Sequence, residues 1–516
     1  MNNKEDNPIN ADKTKLYKNL LRYEDIEEKV SEFLPGLQVA LKVVLAVAIA
    51  SCFRFPAMVW LLLVDVPSSG KTDLVRLIKD SSITYYLDNL TQNAFVSGER
   101  VTKTNKVHDL LPLLDNKCFV VKDWTSIFSL DEKATKKILG DLVNIYDKEF
   151  AKFSSSRGLI PYESYFSHLG CITPATLNKH TQYLNMIGAR FLFYNLPETS
   201  EENEKASREY IFSGKDRTEL EAEAKKYVSS YLEQLTQLKW EEPTISKEAE
   251  NYIWIGANLI AHCRGIVILQ PSKFMNEEGK ERTSYQVIAS QIEKPWRALY
   301  QLKILAECLA FVVWKDFVEI DELELIKEIV LASMPADRSQ VLKIIQKNNG
   351  IITAKKLSED SEIAYKTSQR LLEELVALKV LNKIKGSGSM PADYILDSQY
   401  KDYICLPTAE FMSSYSRETE TPHSIHSDDE LINEEQENKK KVRPSLWDQY
   451  LISKPFEELD NESLLAYLDF SKQYSTGDSI PLEDRNKFKE QAKKLEEECK
   501  KRNLIDTGYQ DINIDN

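Results

Sequence analysis

The chain has 516 residues, 42% of them apolar and 29% charged, with a formal net charge of −14. That length exceeds one hydrophobic core and suits two to four domains, and the composition excludes an intrinsically disordered chain. The net charge excludes a surface that is basic throughout, while leaving room for a local basic site.

Seven cysteines (Cys52, Cys118, Cys171, Cys263, Cys308, Cys405 and Cys499) are scattered without a CxxC pair. Metal-ligand spacing is therefore absent, and a reducing, cytoplasmic setting is expected. The apolar stretch from Val39 to Val64 is broken by Lys42, Arg54 and Pro56. Its uncharged run falls short of the roughly 20 residues a bilayer requires, so no membrane partner is expected. The first residues, Met1-Asn2-Asn3-Lys4-Glu5-Asp6, carry no signal-peptide pattern.

In chain order, residues 1–54 read as an N-terminal helical segment. Residues 55–240 alternate apolar strand-like runs with amphipathic segments, the pattern of an α/β layer on a parallel sheet. The expected strands are Val59–Val64, Ile83–Leu87, Cys118–Val121, His168–Thr173 and Arg190–Leu196. Residues 241–336 show helical spacing throughout and predict a helical lid. Residues 337–400 read as three helices followed by a hairpin with a Gly-Ser-Gly tip, a winged helix. A flexible linker is expected over 401–445 and a helical segment over 446–516, with Trp447, Tyr450, Leu464, Leu465, Tyr467 and Leu468 as its core.

The strand Trp60-Leu61-Leu62-Leu63-Val64 runs into Asp65-Val66-Pro67-Ser68-Ser69-Gly70-Lys71-Thr72, and a helix beginning with Asp73 leaves it. Strand, glycine-containing loop and helix N-terminus together make a phosphate cradle. Pro67, Ser68, Ser69, Gly70, Lys71, Thr72 and Asp73 are thus expected to bind ATP, with Lys71 on the β- and γ-phosphates and Thr72 on Mg2+. Asp65 stands where the usual pattern has its first glycine. A second apolar strand ends in Lys122-Asp123-Trp124, which puts Asp123 where a carboxylate holds Mg2+ or orients water. A third ends in Ile172-Thr173-Pro174, with the Thr173 hydroxyl directed at the γ-phosphate. Arg190, just before the apolar run Phe191-Leu192-Phe193, has the place of an arginine that reaches a neighbouring subunit's nucleotide.

These elements in this order resemble the AAA+ ATPases, and among them the MCM-like helicases of bacterial mobile elements and prophages. The resemblance covers roughly 55–400. It puts Asp123 on the catalytic Glu, Lys122 on the Mg2+-associated Asp, Thr173 on the Asn sensor and Arg190 on the arginine finger. It also makes Arg297, in Pro295-Trp296-Arg297-Ala298, the second sensor. Between the second and third strands the family inserts a DNA-touching hairpin. Here Lys148 to Gly158 holds that place, with Lys152 and Arg157 as its basic residues. Fewer than sixty residues precede the ATPase core, so the family's large N-terminal collar has no counterpart.

The 338–400 segment holds ten Lys/Arg against seven Asp/Glu. Lys366 and Arg370 on its third helix, with Lys383 and Lys385 on its wing, are the expected phosphate contacts. The resemblance implies a homo-hexameric, ATP-driven helicase or replication-initiation ATPase translocating on DNA, with a replication partner at the C-terminal segment. A nucleotide-gated DNA-binding or assembly module with slow hydrolysis is the alternative.

Overall fold

The computed structural model describes residues 21–99, 108–180, 190–214, 216–238, 240, 242–275, 281–384, 391–419, 468, 472 and 482–502. The chain opens with α1 (Tyr23–Phe33) and α2 (Gln38–Ile49). Then come β1 (Trp60–Val64), α3 (Lys71–Arg76), β2 (Thr84–Leu87), β3 (Lys117–Val121), the single turn α4 (Thr125–Phe128) and α5 (Glu132–Ile145). A hairpin follows, β4 (Glu149–Ser154) and β5 (Gly158–Glu163), then β6 (Phe166–Ile172), α6 (Pro174–Lys179) and β7 (Leu192–Asn195).

The five strands expected from apolar runs form one sheet in the order β2-β3-β6-β1-β7, every neighbouring pair parallel. β1 is buried along its whole length, as is β6. Continuous apolar strands of this kind are what a parallel sheet covered on both faces selects. The chain leaves β1, crosses to the β2 edge and steps back, so the carboxyl ends of β1, β3 and β6 lie side by side. Such a reversal in strand order is where parallel sheets bind ligands.

α1 and α2 are the helices of the expected N-terminal helical segment, and α2 is buried within the fold. Its sequence, Gln-Val-Ala-Leu-Lys-Val-Val-Leu-Ala-Val-Ala-Ile, is apolar all round, and Ala40 to Ile49 are all buried. A helix with no polar face has to be covered on every side. α2 accordingly lies between the sheet and the helices that follow. Its one charge, Lys42, reaches Glu322 at 2.5 Å, a carboxylate with no exposed surface that Lys315 also approaches at 3.1 Å. Removing one partner of such a pair leaves a buried charge uncompensated.

α7 (Glu201–Phe212), α8 (Arg217–Thr236) and α9 (Lys247–Cys263) come next. The all-helical lid expected over 241–336 is then interrupted by a long antiparallel hairpin, β8 (Ile266–Met275) and β9 (Glu281–Gln291). The run Gly265-Ile266-Val267-Ile268-Leu269 is β-branched and follows a glycine, which local helical spacing on either side obscured. α10 (Trp296–Val312) and α11 (Ile320–Ala332) complete this layer.

The next unit comprises α12 (Ala336–Lys347), β10 (Ile351–Thr353), α13 (Ala354–Ser361), α14 (Tyr365–Ala377), β11 (Leu381–Ile384) and β12 (Asp393–Leu396). Its strands form an antiparallel sheet in the order β10-β12-β11, one strand more than expected. Arg338 ties it to the preceding layer by donating to the carbonyls of Cys263 and Gly265, each at 2.7 Å, and pairing with Glu374 at 3.1 Å.

Residues 401–419, expected as the start of a linker, are helical instead. α15 (Ser398–Cys405) and α16 (Thr408–Thr419) return to α9, where the Tyr403 ring lies 4.5 Å from Tyr252 and Thr408 meets the Tyr252 hydroxyl at 3.0 Å. Three buried tyrosines, 252, 400 and 403, account for that return. The rest of the expected linker, 420–445, lies outside the described residues, as do Trp447, Tyr450, Leu464, Leu465 and Tyr467. α17 (Leu482–Lys501) is described, and Leu468, Leu495 and Cys499 are buried.

Candidate active site

The loop after β1 has the backbone its sequence demands. Gly70 sits at φ 86° and Ser68 at φ 65°, both left-handed. A side chain on Gly70 would also meet the Leu37 methyl at 2.8 Å. This sharp turn delivers Lys71 and Thr72 as the first residues of α3. The Lys71 ammonium donates to the carbonyls of Asp65 at 2.8 Å and Val66 at 2.6 Å, and to Ser69 Oγ at 3.1 Å. Burial lowers its pKa, while Asp65, Cys171 and Asp123 pull in the opposite direction. The Asp65 side chain caps its own loop by accepting from Val66 N at 2.8 Å. Pro67 and Ser68 face solvent and Ser69 is half-buried. The Asp73 carboxylate is engaged with Arg217 at 2.7 Å and Arg76 at 3.2 Å, so it braces the helix rather than facing the loop.

Asp123 lies exposed at the end of β3 and accepts from Thr125 N at 2.8 Å. Its neighbour Lys122 is paired with Asp88, beyond the end of β2, at 3.0 Å. Thr173 caps α6 through Thr176 N at 3.3 Å and its hydroxyl meets Thr176 Oγ1 at 2.9 Å. Asp65 N donates to Ile172 O at 3.3 Å, which holds the loop after β1 against the Thr173 end of β6. Lys71, Thr72, Asp123 and Thr173 are thus gathered along one edge of the sheet.

Trp124 anchors that edge, a role local sequence reading missed. Its backbone N donates to Cys171 O at 2.9 Å and its indole N–H donates to His168 Nε2 at 3.0 Å. Its ring crosses β6 at Gly170. His168 is fully buried among Trp60, Phe119, Trp124 and Phe191, and desolvation pushes its pKa down to about 3. In the unfolded chain the same group takes up its proton near 6.5. The folding stability His168 contributes is therefore present above pH 6.5 and lost as pH falls toward 3. We expect the wild type to lose about 2 kcal/mol between pH 6.5 and pH 5 from this group alone. His168→Gln, which keeps an acceptor for Trp124 and cannot titrate there, should lack that slope in urea denaturation. Equal slopes for the two proteins would show that His168 is not held neutral.

Arg190 and Arg297 occupy the opposite edge. Leu192 is in register with Leu61, so Arg190 lies level with the amino end of β1. Gln301 Nε2 donates to both Met58 O at 3.3 Å and Arg190 O at 2.8 Å. Arg297 is on the same helix as Gln301. At about 3.3 Å per residue, Met58 and Asp65 are roughly 20 Å apart, beyond the reach of an arginine side chain. Neither arginine meets the Asp65–Thr72 loop of its own chain.

The β4–β5 hairpin is present where the sequence predicted it. Its basic residues are turned inward: Lys152 Nζ donates to Val96 O at 2.6 Å, and Arg157 to Ser97 O at 3.0 Å and to Asp109 Oδ2 at 2.8 Å. The hairpin shows solvent a cross-strand pair instead, Phe153 and Leu159, 77% and 65% exposed. In the 337–400 unit, Lys366 is exposed, Arg370 pairs with Glu374 and Lys383 with Glu373. Lys385 lies outside the described residues. Tyr285, on β9, touches Lys366 O at 3.5 Å, which brings the unexpected hairpin beside α14.

No helix among the described residues is long and apolar enough to cross a membrane. No protein-family model matches the sequence, and no curated protein does. Among solved structures, an active helicase, Cch of SCCmec type IV, matches at 11% identity over 74% of this chain and 71% of that one, with a TM-score of 0.28. At that score the fold assignment rests on the sheet order and loop geometry of the chain itself.

Proposed function

We propose that the protein is an ATPase that hydrolyses ATP between adjacent copies of the chain and uses the cycle to act on DNA, in the manner of the AAA+ MCM-like helicases it resembles. The observation that carries this reading is the division of the site between two sheet edges. Lys71, Thr72, Asp123 and Thr173 form a phosphate-binding edge, while Arg190 and Arg297 stand at the far edge, where only a second copy's nucleotide can meet them. Mg2+ would sit on the Thr72 hydroxyl and the nucleotide phosphates, with Asp123 reached through water. Bound Mg2+ supplies charge neutralisation on the phosphates. The chain's own work is positional. The loop amides cradle the phosphates, Lys71 leaves its carbonyl partners for the β- and γ-oxygens, Asp123 orients the attacking water, and a neighbour's Arg190 meets the charge developing at the γ-phosphate. A closed ring satisfies such a head-to-tail interface, and family resemblance makes it a hexamer.

We read the 337–400 unit as a winged helix, with exposed Lys366 as its phosphate contact. One observation favours the second reading, a nucleotide-gated module that holds DNA without unwinding it. Lys152 and Arg157 are already committed to Val96, Ser97 and Asp109, so the hairpin carries less free positive charge than a DNA-tracking tip needs. ATP turnover with and without single-stranded DNA separates the two. Several-fold stimulation by DNA, weakened by salt and accompanied by strand displacement, is the result expected of a motor. Turnover indifferent to DNA would remove the helicase and leave the gated module.

A further inference from the structure

The two arginines of the far edge come from distant parts of the chain, Arg190 before β7 and Arg297 in the first turn of α10, yet they converge on one aromatic ring. The Arg190 guanidinium carbon lies 5.8 Å from the centroid of Tyr146, and that of Arg297 lies 5.5 Å from it. Both distances fall within the range where the negative face of an aromatic ring attracts a cation.

Tyr146 is itself immobilised. It is 5% exposed, its hydroxyl donates to Met58 O at 2.9 Å, and its ring meets Trp60 edge-on at 4.9 Å. The backbone beneath Arg190 is pinned as well. Arg190 O accepts from Gln301, and Phe191 O accepts from Arg264, a buried guanidinium that also donates to Ser333 O at 2.8 Å.

Two like charges gathered in a half-buried setting repel. Burial lowers the pKa of Arg190 and the Arg297 charge lowers it further, with Asp147, Tyr146 and Glu293 acting the other way. The ring they share lies within cation–ring distance of both guanidinium groups and offers them one attractive seat.

We propose that Tyr146 is the positioning residue for both arginines, its ring the common seat that presents Arg190 and Arg297 together to the nucleotide of a second copy. This rests on the reading that ATP is hydrolysed between copies of the chain. Preorganised charge lowers a barrier only if it is held in place beforehand, and a misplacement of about 1 Å can cost on the order of 100-fold.

The test uses the full chain with Tyr146→Phe and Tyr146→Leu. Tyr146→Phe keeps the ring and loses the Met58 bond, and should retain kcat within about threefold, since the cation–ring attraction survives. Tyr146→Leu should lower kcat about 10- to 100-fold with the KM for ATP unchanged. Tyr146→Leu added to Arg190→Ala/Arg297→Ala should be no slower than Arg190→Ala/Arg297→Ala alone, because the seat acts only through its two occupants. A Tyr146→Phe protein as slow as Tyr146→Leu, or a further loss when Tyr146→Leu is added to the variant lacking both arginines, would overturn the seat and return Tyr146 to core packing. Arginine-selective NMR gives a readout independent of turnover. Side-chain signals of Arg190 and Arg297 should be shifted by the ring in the wild type and in Tyr146→Phe, and lose that shift in Tyr146→Leu. Unshifted signals in the wild type overturn the seat. Shifted signals with full turnover in Arg190→Ala would instead overturn hydrolysis between copies while the seat stands.

Discussion

Chains carrying Lys71→Ala and chains carrying Arg190→Ala, each nearly inactive alone, are expected to recover ATP turnover when mixed. On the proposed reading Lys71 would touch the phosphates of its own chain's nucleotide, and Arg190 those of a neighbour's, so each variant by itself would spoil every interface. Loss of an arginine finger is worth about 10³ or more in turnover, and loss of the phosphate-loop lysine should be as severe. In a randomly mixed ring, about a quarter of the interfaces join an intact phosphate loop to an intact Arg190. Recovery toward that fraction, dependent on protein concentration, is the signature of a site shared between copies. The measurement is turnover across a titration of one variant into the other. A mixture that stays at the level of its components would show that both residues serve one chain or that neither matters. Wild-type turnover in Arg190→Ala alone would be decisive in the same direction. The sheet register makes the outcome sharp, since an arginine level with Val59 has no path to Lys71 within its own subunit.

How much of this could be read from the sequence follows from how local each signal is. The five parallel strands announced themselves as apolar runs, and the Asp65–Thr72 loop as a turn between a strand and a helix in direct succession. Both are short-range patterns that the backbone must obey. The β8–β9 hairpin was missed because helical spacing on either side of it extends plausibly across Gly265, and nothing local opposes that extension. The uniform apolarity of α2 is a clear sign of complete burial but gives no hint of what buries it. The inward turn of Arg157 depends on Asp109, a partner in a separate loop that no periodicity connects to it. Tyr146 was invisible for the same reason, since its importance comes from two arginines that the fold alone brings together. Gly170 offered a usable clue: an isolated glycine inside an apolar strand marks a close approach by something large.

That large neighbour is Trp124, and Gly170→Ala is expected to cost turnover out of proportion to stability. A β-carbon at position 170 would lie 2.6 Å from Trp124 Cδ1 and Nε1 and 3.0 Å from a Leu62 methyl. The indole has nowhere to withdraw. It is fully buried, tied to His168 Nε2, and packed against Phe128 at 5.8 Å and Phe191 at 5.1 Å. Inserting one carbon into such packing costs about 1–3 kcal/mol, which a large domain survives. The displaced ring, however, drags the backbone of Trp124, and Asp123 is the residue immediately before it. With Asp123 orienting water as proposed, a shift of about 1 Å in its carboxylate would lower kcat by on the order of 100-fold. Urea denaturation and steady-state turnover on the same preparation separate the two effects. Adding Trp124→Phe supplies the test of cause, because the smaller ring vacates the space that the new methyl needs. If the clash moves Asp123, the double variant regains part of the turnover lost in Gly170→Ala despite giving up the His168 hydrogen bond. If the second substitution only deepens the loss, Gly170 matters to the strand and not to the site.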